Sequence, residues 1–298
     1  MRGIDYRWIV ALDAVISYRS FDKAAKVLSI SQSAVSQRIK QLEQWASQPV
    51  LIREQPPKPT LTGQKLLGLY RRVSLLEQDL LPELMSEDVK VAVDVSIATN
   101  ADSLATWLLP SLADLLKSSQ IAINFVVDDE NRTLEKLRTG EVVGAISVDN
   151  RSIPGCTADY LGVTEYICVA SPDFCQRFFA NGVSPESLLA APAVVFNQHD
   201  HMHEHFIQQY FSLSINNVTK HTVRSSEAFV KMTTLGVAYS LIPKLQIEQE
   251  LKQGLLVNIS PEFSIANKLY WHHWNLESGV LKNLSEAIIQ HAKHTLPQ

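Results

Sequence analysis

The residues from Ser31 to Lys40 are suited to reading a surface rather than to breaking a bond. Ser31, Gln32, Ser33, Ser36 and Gln37 are polar and uncharged, and Lys40 adds one cation. A helix face that is merely solvated carries Lys and Glu more often. A glutamine carboxamide pairs bidentately with adenine, a serine hydroxyl donates or accepts at a base edge, and a helix start attracts phosphate. A second group, His199, His201, His203 and His205 in HDHMHEH, contains two i, i+4 pairs, a spacing that binds zinc on a helix. No cysteine lies near that run, and Met202 after His201 rules out HExxH. A polar helix start with incidental metal affinity is expected there, and no metal site. There is no GxGxxG, Walker loop, GxSxG or paired catalytic carboxylate, so neither a nucleotide nor a metal-dependent hydrolase is expected. No enzyme activity and no cofactor are expected.

The elements that must position these residues follow from periodicity. Val35, Ile39 and Leu42 recur at steps of four and three, which predicts a helix that turns them inward and leaves Gln32, Ser33, Ser36, Gln37 and Lys40 outside. Ser31 is a good N-cap for it, after a turn at Ser29 to Ser31. A short helix fits Asp22 to Leu28, with Ala24 and Ala25 small enough for close approach. Tyr6 to Tyr18 places Trp8, Ile9, Leu12, Val15 and Ile16 on one stripe. Three short helices with a tight turn before the last form a helix-turn-helix pattern, and a small bundle with a polar face is the plainer alternative. Charge favours the first. Residues 1–72 hold twelve Lys/Arg against five Asp/Glu, which leaves fifteen against twenty-six in the remainder. A basic head on an acidic body suggests that only the head meets a polyanion. Three cysteines, Cys156, Cys168 and Cys175, without metal spacing fit a reducing compartment. Charged residues interrupt the N-terminal apolar stretch, and no apolar run reaches the roughly 18 residues of a spanning helix, so a cytoplasmic location and no membrane partner are expected.

SFDKAAKVLSISQSAVSQRIKQLE, followed by QPVLIR and LTGQKLL, resembles the winged helix-turn-helix of LysR-type transcriptional regulators. Ala24, Ala25, Ser31, Ser33, Ala34, Val35, Ser36, Ile39, Leu42 and Glu43 carry the match. Ile52, where the family often has Phe, and the three prolines between Gln55 and Pro59 depart from it. NADSLATWLLP, TGEVVGA, SSEAFVKM, LQIE and LYWH extend the likeness along the chain, toward the branch that responds to arginine and lysine. The resemblance implies a DNA-binding head at 1–60 (motif 21–40) and adds Arg53 and Lys58 of the wing to the expected DNA contacts. A linker helix and hinge follow at 61–88, then an effector domain at 89–298 of periplasmic-binding-protein type. Lobe I is expected at about 89–163 and 268–298, and lobe II at about 164–267.

Thr62 can cap the linker helix, expected to run to about Leu81, with Pro82 marking a hinge before a linker at Ser86, Glu87 and Asp88. Leu66, Leu69, Val73, Leu76 and Leu80 form a coiled-coil seam, which suits a head that reads paired half-sites as a homodimer or homotetramer. An amphipathic helix packed on its own domain is the alternative, since Leu67 and Tyr70 are also apolar. From Val89 onward strands and helices alternate, which predicts α/β lobes with parallel sheets. Ligands of such sheets bind beyond the carboxyl ends of strands. That rule selects Asn100, Ala101, Asp102, Ser103, Asp129, Glu130, Ser147, Asp200, Ser225, Ser226 and Glu227. Capping alone would also explain several of them.

With the resemblance, Asp102, Glu130 and Asp200 are the acids expected to face the amines of L-lysine or L-arginine. The expected function is sequence-specific regulation of basic amino-acid export and metabolism genes, by activation or repression and through contact with RNA polymerase. A cytosolic solute-binding protein with an accessory DNA-binding head is the alternative.

Overall fold

The computed structural model describes residues 3–84, 93–130, 132–198, 200–212, 218–277 and 279–298. The expected linker at Ser86 to Asp88, the start of the strand expected from Val89, His199 and Ser278 lie outside the described residues.

The head packs α1 (Tyr6–Ser17), α2 (Phe21–Val27) and α3 (Gln32–Ala46) around one core. Ser31 opens α3 by accepting the Ala34 N–H at 3.2 Å, which satisfies a donor that the helix itself cannot. Val35, Ile39 and Leu42 are fully buried in the same core as Ile9, Leu12 and Val15. Each contributes about 1.5–3 kcal/mol, several times the differences in helix propensity, so the apolar pattern fixes which face of α3 looks outward. A two-stranded wing follows, β1 (Leu51–Ile52) antiparallel to β2 (Lys58–Pro59).

The connecting helix α4 (Leu61–Leu84) departs from expectation at both ends. Thr60, rather than Thr62, is the residue whose hydroxyl accepts an N–H of the first turn, from Gly63 at 3.1 Å. Its hydroxyl also donates to the Pro49 carbonyl, while Thr62 bonds to Gln48. Gly63 lies against the Val50 carbonyl, where an added Cβ would sit at 2.1 Å. At its far end α4 runs through Pro82, which lies in the last turn where its missing N–H forfeits a single bond. Along the helix Leu67 is buried with the head, and Leu66 and Tyr70 pack against it, whereas Leu69 and Leu76 remain 37% and 41% exposed.

The rest of the described chain runs β3 (Val93–Thr99), α5 (Ala101–Ser103), a π-helical turn (Leu104–Leu108), α6 (Leu109–Ser118), β4 (Ile121–Val127), α7 (Thr133–Arg138) and β5 (Gly144–Ser147). Then come β6 (Cys156–Ala170), α8 (Pro172–Phe178), α9 (Pro185–Ala190), β7 (Ala193–Val195), α10 (Met202–Phe211), β8 (Lys220–Thr222), α11 (Ser226–Thr234) and β9 (Ser240–Pro243). It closes with α12 (Glu248–Lys252), β10 (Val257–Asn258), β11 (Ser264–Trp274) and α13 (Gly279–Thr295).

The expected parallel sheets are only part of the arrangement. β3 pairs parallel with β4 and β5, and β7 with β8, but β6 and β11 are antiparallel along their length. These two long strands carry the chain out of one lobe and back, so they run in opposite directions by necessity. At one end β11 pairs with β5, and at the other β6 pairs with β9 and β10. The register shifts between Leu269 and Tyr270, opposite Gly162 at φ 136°. The junctions expected at 163/164 and 267/268 therefore fall inside continuous strands.

His273 of β11 pairs with Asp159 at 2.8 Å and Glu277 at 2.9 Å. Burial works against its charge, but the two carboxylates outweigh burial and raise its pKa. A raised histidine pKa stabilises the fold fully below the unfolded value of about 6.5 and stops doing so as pH rises through the folded value. His273→Ala should therefore lose more denaturation midpoint at about pH 6 than at about pH 9. An equal loss at both would show that the ring acts by packing alone.

Candidate functional sites

On the head, Ser31, Gln32, Ser33, Gln37 and Lys40 are exposed along the first turns of α3, and Ser36 is half-buried beside them. Ser31 and Ser33 share a hydroxyl hydrogen bond of 2.9 Å, which orients both at the helix start. The wing cations are engaged within the head: Arg53 pairs with Glu43 at 3.8 Å and Lys58 with Glu54 at 3.2 Å. Arg53, Lys58 and Glu54 are exposed and Glu43 is half-buried, so both pairs contribute little to stability.

Between the lobes lies a cleft of about 900 Å³. Asn100 caps α5 by accepting the Ser103 N–H, which frees the neighbouring Asp102 to turn into the cleft wall. There Asp102 accepts from the Tyr166 hydroxyl of β6 at 2.7 Å and from the Ser226 hydroxyl at the start of α11 at 2.5 Å. The second bond spans the two lobes. Glu130, just beyond β4, accepts from Asn100 at 2.9 Å through one oxygen and from Asn267 of β11 through the other. Asp128, Asp129 and Asp200 complete a wall of five carboxyls, and among the described residues no Lys or Arg lines the cleft. Asp128 is offset by Lys136 at 3.6 Å, and Asp200 caps its own turn by accepting the Phe196 and Met202 N–H groups.

Burial raises the pKa of Asp102, although Ser226 and Tyr166 oppose it. Burial, then the nearby Asp102 and Asp129 charges, pushes Glu130 up to about 8 against the pull of its two carboxamides. Near neutrality these surroundings favour the protonated form of the Glu130 carboxyl.

Asn100, Ala101, Asp102, Asp129, Glu130, Asp200 and Ser226 all line this cleft. Four expected residues, Ser103, Ser147, Ser225 and Glu227, are not among its lining residues. Ser103 is buried behind the wall, and Ser147 is buried with its hydroxyl on the Glu130 carbonyl, where it secures that backbone. Ser225 caps α11 by accepting the Ala228 N–H and donates to Glu227. A strand-end rule cannot tell which side of a turn faces inward. Sequence reasoning missed Tyr166 and Asn267, which lie within long strands. Of the histidines, His201 and His205 are exposed at the cleft edge, while His203 is buried edge-on to Tyr239, its ring centroid 5.3 Å away. Burial lowers the pKa of His203 against the pull of the Asp200 and Glu204 charges. Among the described residues no three His, Cys, Asp or Glu side chains gather to hold a metal ion. Burial pushes Cys156 up to about 11 and raises Cys168 and Cys175, so none is a ready nucleophile. No helix among the described residues is long and apolar enough to cross a membrane.

Comparison with known proteins matches residues 6–64 to the bacterial regulatory helix-turn-helix protein of the lysR family and residues 90–293 to the LysR substrate binding domain. The HTH-type transcriptional regulator ArgP of Photobacterium profundum is 63% identical over 298 residues, covering 100% of both chains. The crystal structure of ArgP from Mycobacterium tuberculosis superposes with a TM-score of 0.88 at 30% identity, covering 99% of both chains. Full-length LysG from Corynebacterium glutamicum with bound effector Arg does so with a TM-score of 0.81 at 28% identity, covering 99% of this chain and 100% of that one.

Proposed function

The chain belongs to the LysR family of bacterial helix-turn-helix regulators, a family of transcription factors rather than enzymes, and from this we propose that L-lysine or L-arginine in its cleft sets how it binds DNA. The observation that carries the effector class is the cleft wall of five carboxyls, which among the described residues is joined by no Lys or Arg. A dibasic amino acid brings two cations and one carboxylate. Glu130 and Asp102 suit the cations. The helix starts at Ala101 and Ser226, two residues that line the cleft, suit the carboxylate. The arginine held by LysG supports the same class.

In this reading α3 enters the major groove with Ser31, Gln32, Ser33, Ser36, Gln37 and Lys40 toward bases and phosphates, and Arg53 and Lys58 follow the backbone. The exposed Leu69 and Leu76 of α4 support pairing of two chains into a dimer or tetramer, which would set two recognition helices one helical turn apart. The ligand changes how the lobes sit, and hence how the paired heads hold their DNA, by no more than its difference in affinity for the two arrangements. The genes controlled are those of basic amino-acid export and metabolism, reached by contact with RNA polymerase in the cytoplasm. The family likeness supports these last assignments.

A gel-shift titration tests the DNA role. If about six phosphates are neutralised per dimer, affinity should fall with a log–log slope near −5, about thirtyfold for each doubling of salt. Under the same conditions Ser36→Ala and Gln32→Ala should weaken binding to a preferred duplex more than to random DNA. A slope near zero, or equal loss on all sequences, would refute the base-reading role.

A further inference from the structure

Among the described contacts, the connecting helix meets the cleft-bearing domain along Gly68 to Arg72, a stretch that also touches the head through Tyr70 and Arg71. Gly68 lies backbone to backbone on Gly140, in the turn after α7. A Cβ on Gly68 would sit 2.7 Å from the Gly140 Cα, and one on Gly140, itself at φ +71°, only 2.1 Å from the Gly68 Cα. Arg71 donates to the Gly140 carbonyl at 3.1 Å, while its Nε lies 3.9 Å from Asp13 of α1. One guanidinium therefore contacts both the head and the domain that forms the cleft. Arg72 donates to the Gly68 carbonyl at 3.1 Å and lies 4.0 Å over the Trp274 ring, at the last residue of β11.

Both surfaces that α4 touches are far ends of elements whose near ends hold Glu130. Helix α7 begins three residues after Glu130, and its buried Thr133 is tied to β5 through the Ile146 carbonyl at 2.6 Å. Strand β11 carries Asn267, a partner of Glu130, seven residues before Trp274. Two backbones in contact with no side chain between them have no rotamer to absorb a displacement. A shift of Glu130 toward a bound cation is therefore handed through α7 and β11 to α4.

We propose that Gly68, Arg71 and Arg72, docked on Gly140 and Trp274, form the joint that passes cleft occupancy to the DNA-reading head. The joint rests on the effector reading above, and its test separates the two. Full-length wild type, Arg71→Ala, Arg72→Ala, Arg72→Lys and Gly68→Ala are titrated with L-arginine and L-lysine by calorimetry. Their affinity for a duplex that wild type selects from a random pool is then measured with and without each amino acid. Wild type should show a ratio of roughly 5- to 150-fold. Both arginine-to-alanine variants should keep the binding heat while the ratio falls toward one, and Arg72→Lys, which keeps a cation over the indole, should restore much of it. Gly68→Ala should behave like the arginine-to-alanine variants, and because these leave the glycine contact intact the test does not depend on its folding. Retention of the wild-type ratio by Arg71→Ala and Arg72→Ala would overturn the joint alone. Absence of heat in wild type with both amino acids would overturn the effector reading, and the joint with it.

Discussion

Replacing Glu130 with glutamine should weaken binding of L-lysine and L-arginine by roughly thirtyfold to several thousandfold, corresponding to the about 2–5 kcal/mol at stake when one side of a buried charge pair is lost. The substitution preserves shape, so the loss reports charge. Glu130 sits in the cleft wall with each oxygen already accepting one carboxamide N–H, which leaves a lone pair on each for a ligand cation. Near neutrality this carboxyl favours its protonated form, because its pKa is raised to about 8 by burial and by the charges of Asp102 and Asp129. A cation favours the ionised form, so binding below about pH 8 must release a proton. Ligand affinity should therefore rise as pH approaches about 8 and level off above it. Calorimetry at about pH 7 in two buffers of different ionisation heat should show a proton leaving on binding to wild type, and a smaller release with Glu130→Gln. Unchanged affinity in the variant would remove Glu130 from the site. Affinity independent of pH in wild type would show that the carboxyl is ionised before the ligand arrives.

The head was legible in the sequence because its information is local. Val35, Ile39 and Leu42 repeat within two turns, and their burial decides where Gln32 and Gln37 point. The lobes were less so. An apolar run such as IAINFVV identifies a strand but carries no mark of its neighbour's direction, and the antiparallel pairing of β6 with β11 joins residues 97 to 118 positions apart. The same distance explains the cleft. Asp102, Glu130 and Ser226 follow strand ends and can be found by rule, whereas Tyr166 and Asn267 lie inside strands and reach the site only because those strands cross between the lobes. Ser147 follows a strand end as well, but its hydroxyl faces the Glu130 backbone instead of the cavity. The connecting helix shows the same limit: its leucine spacing is plain, but nothing local announces that Gly68 needs Gly140 as a neighbour.

Trp271→Ala should destabilise the cleft-bearing domain by about 3–5 kcal/mol, the usual range for truncating a buried aromatic side chain. Against total stabilities of about 5–15 kcal/mol, that is a large fraction. The indole is fully buried on β11, in a core shared with Trp107, Leu112, Leu284 and Ile288. It covers Gly144 so closely that a Cβ there would meet the ring at 2.3 Å, so the cavity left by alanine opens directly onto β5. Its Nε1 donates to Ser285 at 2.8 Å, Ser285 donates to Glu277 at 2.9 Å, and Glu277 pairs with His273. Truncation therefore removes packing and also loosens the polar chain that ties α13 to β11. Trp271→Phe keeps much of the ring and loses the hydrogen bond, so it should cost distinctly less. The core of the head shares no buried residue with this cluster, so its helices should persist when the lobes have melted. Urea unfolding followed by circular dichroism should show the alanine variant losing its lobe signal at a lower midpoint with residual helix retained. An unchanged midpoint would mean that the surrounding side chains collapse into the space, and that the indole is not what holds β11 between its neighbours.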